Sequence, residues 1–98
     1  MELPEKYYLN PKTKEVSPYH SPLLNLGGDD LVDWLWFCHK NFPYSVVVVS
    51  HNVDYREIKE WVSVNTIGEW VDISRLMRHF SLRFNNPDDA ALCKLFWS

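Results

Sequence analysis

Apolar residues along this chain follow two periods, and the points where the period changes mark its elements. The segment Tyr44-Ser-Val-Val-Val-Val-Ser50 carries four consecutive valines, and β-branching favours extended backbone. An unbroken apolar run without alternation predicts a strand covered on both faces. Glu69-Trp-Val-Asp-Ile-Ser74 alternates instead. Val71 and Ile73 fall on one side, Trp70, Asp72 and Ser74 on the other. His79 to Phe84 alternates too, with Phe80, Leu82 and Phe84 inward and Ser81 and Arg83 outward. Both read as half-exposed strands. The connection Arg75-Leu-Met-Arg78 lacks Gly, Asn and Pro, so it specifies no tight hairpin turn.

Between the strands the period lengthens to that of a helix. Leu31, Trp34, Leu35 and Cys38 lie at i, i+3, i+4 and i+7, and Val32, Trp36 and Phe37 widen the stripe. Asp29 is placed as its N-cap, and Asn41 and Pro43 end it. A helix so widely apolar sits between two layers or offers a surface to a partner. Asp54-Tyr-Arg-Glu57 matches a capping box opening a second helix, with Ile58, Trp61, Val62 and Asn65 on one face and Gly68 as terminator. Asn86-Pro-Asp-Asp89 opens a third, whose apolar face runs through Ala90 and Cys93. Residues 95–97 fit either its last turn or a short closing strand.

Residues 1–28 form a separate, extended N-terminal arm in this reading, and residues 29–98 a single α+β domain. Within the arm, Asn10-Pro-Lys-Thr13 supplies turn chemistry for a small hairpin around Tyr7-Tyr-Leu9 and Glu15-Val16. From residue 44 the order β-α-β-β-α matches a small ferredoxin-like sheet lacking one final strand, with the arm and first helix added.

Composition narrows the function. The chain has 98 residues, a net charge of −3 and 15% aromatic residues. Five tryptophans in a chain this short serve either as core or as interface anchors. The acidic balance argues against nucleic acid held by bulk electrostatics. The opening Met-Glu-Leu-Pro-Glu-Lys is no signal peptide, and no run approaches a membrane span. A cytoplasmic location with no membrane partner is therefore expected. Cys38 and Cys93 read as buried, reduced thiols, with a bridge between them left open.

No catalytic constellation emerges. His20, His39, His51 and His79 show neither i, i+4 pairing nor a Cys-x-x-Cys companion, so no metal is expected. Nothing local activates either thiol. Gly27-Gly-Asp-Asp30 opens a helix, and phosphate-binding glycine loops are absent, so no cofactor is expected. Arg75, Arg78 and Arg83, interleaved with Phe80 and Phe84, mark the alternative of a single-stranded nucleic-acid binder.

Two resemblances bear on these expectations. Tyr7-Tyr-x-Asn-x-x-Thr13 resembles part of a WW domain, but both signature tryptophans are missing, and that family is set aside. Phe80-Ser-Leu-Arg-Phe84, Asn86-Pro-Asp-Asp-Ala90 and Lys94-Leu-Phe-Trp97 resemble the endings of small uncharacterised proteins encoded by tailed bacteriophages. The second resemblance implies an accessory protein that binds a host or phage protein. The sequence thus points to a non-enzymatic protein-interaction module. Its candidate contacts are Tyr7, Tyr8 and Tyr19 in the arm, Trp36 and Phe37 on the first helix, and Trp70 on the outer side of its strand. Homodimerisation through a sheet edge fits the composition equally well.

Overall fold

The computed structural model describes residues 3–18, 28–49, 54–74 and 79–97. Its strands are β1 (Tyr7–Leu9), β2 (Glu15–Pro18), β3 (Tyr44–Val49), β4 (Trp70–Asp72) and β5 (His79–Phe84). Its helices are α1 (Gly28–Asn41), α2 (Tyr55–Asn65) and α3 (Pro87–Trp97). The strands form one mixed sheet in the order β1-β2-β4-β5-β3. β2 runs parallel to β4, and every other neighbouring pair is antiparallel. The protein is therefore α+β, with β5 lying between β3 and β4.

The expected hairpin forms, and it belongs to the sheet. Asn10 Oδ1 accepts from the amides of Lys12 and Thr13, at 2.9 and 3.3 Å, which closes the turn. Lys14 then takes a left-handed φ of 66°. That strained position is held from both ends. Its carbonyl accepts from Trp70 N–H at 3.1 Å, and its ammonium donates to the carbonyl of Thr66 at the end of α2. Glu15 and Val16 pair with Trp70 and Val71.

Helices cover both faces of the sheet. On one face α2 and α3 enclose Val46, Val48, Ile58, Val62, Trp70, Leu82, Phe84 and Cys93. On the other, α1 lays Trp34 and Cys38 against Tyr7, Val16 and Val71. This arrangement corrects the reading of β4 as half-exposed. Trp70 and Val71 are both fully buried, because each side of β4 meets a helix. Phe80, Leu82 and Phe84 face the α2–α3 core as their alternation predicts.

The valine strand is the larger correction. β3 lies at the sheet edge, and its two faces differ. Val46 and Val48 are buried under α3, whereas Val47 is 58% exposed. α1 packs on β1, β2 and β4, and Ser45 and Val47 on the same face of β3 are exposed. Residues 95–97 continue α3 and form no closing strand.

The starts of α2 and α3 follow their sequence signals, whereas Asp29, expected as the N-cap of α1, lies within its first turn because the helix already begins at Gly28. Asp54 accepts from Arg56 N–H at 2.9 Å, and Asn86 from Asp88 N–H at 2.8 Å. Asn65 does not share the buried face of α2: it is exposed and donates to Trp61 O at 2.8 Å. Asp89 has a second task. It is buried, and its carboxylate accepts from Ile67 N–H at 3.1 Å and Gly68 N–H at 2.8 Å. A Cβ on Gly68 would run into Asn85 Oδ1 and stand 3.3 Å from Asp89 Oδ2. Asp89→Ala leaves two backbone donors without their acceptor, and unsatisfied buried donors cost about 1–3 kcal/mol each. The expected result is a stability loss of about 2–3 kcal/mol in urea unfolding, with Asp89→Asn intermediate. A loss below about 0.5 kcal/mol would show that water replaces the carboxylate.

Candidate interaction surface

The exposed feature nearest to the sequence expectation is the outer ridge of α1. Trp34 and Cys38 face the core, which turns Trp36 away from the sheet, 68% exposed. Its ring meets His39 edge-on, with centroids 6.4 Å apart. A groove lies on each side. One, of about 560 Å³, is lined by Pro4, Trp36, Phe37, His39, Lys40 and Asn41. The other, of about 330 Å³, runs between α1 and the sheet and is lined by Leu35, Trp36, Cys38, His39, Ile73 and Arg83. An exposed indole thus stands between two largely apolar grooves, with His39, Lys40 and Arg83 close by.

Arg83 is placed by the end of α1. Its Nε donates to Phe42 O at 2.7 Å and one terminal nitrogen to Pro43 O at 3.3 Å. The same guanidinium lies 3.5 Å from His39 Nδ1. A cation at a helix C-terminus is favourable, and these bonds tie β5 to the α1–β3 connection. Much of its donor capacity is therefore used inside the fold. Arg75 and Arg78, which shared the nucleic-acid reading with it, lie outside the described residues.

The other candidate contacts separate into core and surface. Tyr7 is buried, its ring centroid 5.0 Å from Trp34 and 4.5 Å from Phe37. Phe37 is half-buried within the same cluster. Trp70, expected on an outer side, is 0% exposed, because that side carries α2 and α3. Tyr8 and Trp36 are exposed, and Tyr19 lies outside the described residues. Val47 was not singled out by the sequence. Four identical side chains give no sign of which one lacks cover.

Cys38 and Cys93 are both free and fully buried, on opposite faces of the sheet. That separation excludes the bridge left open above. Burial pushes the Cys38 thiol up to about 12, against the opposing pull of Arg83, and the Cys93 thiol up to about 11. Among the described residues no group of three or more His, Cys, Asp or Glu side chains is placed to hold a metal ion. No described helix is long and apolar enough to cross a membrane.

A second polar cluster lies beneath α2. Glu15 on β2 pairs with Lys59 at 3.0 Å, and Lys59 also stands over the rings of Tyr55 and Trp70. Asp72 accepts from Ser74 N–H at 2.9 Å. Desolvation raises the pKa of Glu15 despite Lys59, and raises that of Asp72 despite the Ser74 bonds. These groups join β2, β4 and α2, and the ion pair occupies the Glu15 carboxylate.

Compared with protein-family models, curated proteins and solved structures, the chain matches none.

Two measurements check the site chemistry. With both thiols held largely protonated, native Cys38 and Cys93 should react with a disulfide reagent roughly 100-fold more slowly than a free thiol. Both should react fully after denaturation. Fast native labelling of either would show that its cover opens. For Asp72, a raised pKa means that the folded chain holds its proton more tightly than the unfolded chain. Its contribution therefore favours folding below the unfolded value and is lost as pH rises through the folded value. Asp72→Asn keeps an acceptor for Ser74 N–H without the charge. The stability difference between variant and wild type should grow in the variant's favour from about pH 4 to neutrality. A pH-independent difference would contradict this reading.

Proposed function

We propose that this protein is a non-enzymatic protein-interaction module whose contact surface is the Trp36 ridge of α1 with its two flanking grooves. The observation that carries this reading is the 68% exposure of Trp36 on a helix whose buried face is already filled by Trp34 and Cys38. The fold does not need Trp36 for its core. An exposed Trp with Arg and His beside it has the composition of an interface hot spot. The fitting partner presents an apolar side chain to the grooves and carboxylates toward Lys40 and Arg83. The buried, protonated state of both thiols supports a binding role over thiol chemistry.

We also read residues 44–97 as a ferredoxin-like unit without its last strand, on the basis of β5 lying between β3 and β4 with α2 and α3 on one side. The phage resemblance supplies a setting, an accessory protein in the cytoplasm of an infected bacterium. In the nucleic-acid alternative, the engagement of Arg83 leaves the burden on Arg75 and Arg78.

A photo-activated cross-linker near Trp36, at Leu35 or Lys40, should trap a defined partner in the native cell, for identification by mass spectrometry. With the purified partner, Trp36→Ala should weaken binding at least roughly 30-fold, as loss of a hot-spot side chain does. Its circular dichroism should match wild type. Unchanged affinity in a folded Trp36→Ala variant rejects this surface.

A further inference from the structure

The sheet ends in two edges, and they are built differently. β1 is three residues long, with Pro4 and Pro11 close by and Lys6 directly before it. Short length, prolines and a flanking lysine are the usual protections of an edge strand. β3 has one of them, Pro43 directly before it, but neither the short length nor a flanking lysine. It runs six residues, Tyr44-Ser-Val-Val-Val-Val49, without a charge, proline or glycine. Among the described residues its one partner strand is β5. Alternate residues of β3 therefore direct their N–H and C=O groups away from the sheet. No hydrogen bond to those groups is present among the described residues.

Apolar side chains are exposed on both sides of this edge. On the α1 side, Val47 is 58% exposed beside exposed Ser45. On the other side, Lys94 and Trp97 of α3 line a groove with residues 45–48. Ala91 and Leu95 adjoin Lys94 on the same flank of α3, and Leu95 is 79% exposed. Lys94 is the sole charge in that groove lining, and its long stem lets the ammonium reach water.

We propose that β3 is the seat of a symmetric dimer, in which a second copy of this chain adds its own β3 antiparallel to the first and continues the sheet. A second copy fits this edge because the strand is neutral: pairing it with itself sets no like charges opposite one another. It places β-branched valines in cross-strand pairs, which are favourable. Matching faces restricts the two-fold axis to Val46 or Val47, since a one-residue slip would turn buried valines outward. In either register the two Val47 side chains are opposite or diagonal neighbours, within about 8 Å. The axis also brings the Leu95 flanks of the two α3 helices toward each other. Each copy has one such edge, so pairing closes at two. The Trp36 ridge lies on a different surface, and the dimer stands without it.

Sedimentation equilibrium over the micromolar range tests the proposal. Wild type should approach twice the 11.7 kDa chain mass. Val47→Lys and Val47→Glu should each sediment as monomers with wild-type circular dichroism, since Val47 is exposed in the single chain. An equimolar mixture of the two should recover the dimer, because opposite charges then face each other. A wild type that stays monomeric overturns the proposal. So does a dimer that either charged variant forms as readily as wild type, which would place the contact elsewhere. A dimer lost in Trp36→Ala but kept in Val47→Lys would move self-association to α1. A monomer that still binds a partner through Trp36 overturns the dimer alone.

Discussion

The fold hangs on how Trp70 is held. Its amide donates to Lys14 O and its indole to Thr13 O at 2.8 Å, so one residue grips two successive carbonyls of the N-terminal hairpin. Its backbone pairs with Glu15 on one side and Phe84 on the other. Its ring fills the core under α2, with the Lys59 ammonium 5.8 Å from the ring centroid. The parallel register of β2 and the antiparallel register of β5 thus share one fixed point. Truncating a fully buried ring costs about 3–5 kcal/mol, and here the polar anchor would go with it. The left-handed Lys14 is a consequence: the strain is tolerated because both its carbonyl and its ammonium are engaged.

From that point the two faces of the sheet develop unequally. The α2–α3 side closes over three strands, from Trp70 on β4 to Val46 on β3. The α1 side closes over β1, β2 and β4. One helix does not span five strands, so Val47 and Ser45 are uncovered, and Arg83 meets the end of α1 instead of a layer above it. The exposed apolar side chains at Trp36 and Val47 therefore have separate origins. Trp36 is surplus to a helix face already filled, and Val47 lies beyond the reach of that helix.

Much of this was legible from local pattern. Alternation in residues 79–84 identified the core face of β5, and Asn86-Pro-Asp-Asp marked the start of α3. Asp54 and the Asn10-Pro11 turn acted as their chemistry requires. What local pattern could not carry was which strand sits beside which. Trp70 and Val71 look like a half-exposed alternation until helices are known to lie on both sides. The four valines look doubly covered, although the sheet order makes them an edge. The residues at 7–18 resemble a loose arm because their partner, β4, is far away in sequence. At the candidate surface, Trp36 was found from its place off the main helical stripe, whereas Tyr7, offered as an aromatic of the arm, and Trp70, offered as the outer side of an alternating strand, are core.

The parallel pairing of β2 with β4 also sets an order of events. The Thr13–Trp70 bond spans 57 residues, and β2 has no seat until β4 exists. In contrast, β3, β5 and both helices of their face lie within one continuous stretch, so their contacts close shorter loops. As the chain leaves a ribosome, its earliest-made strands must wait for a docking edge that is synthesised much later. The hairpin thus emerges well before its docking edge, and a nascent chain stopped before β4 would hold it unattached.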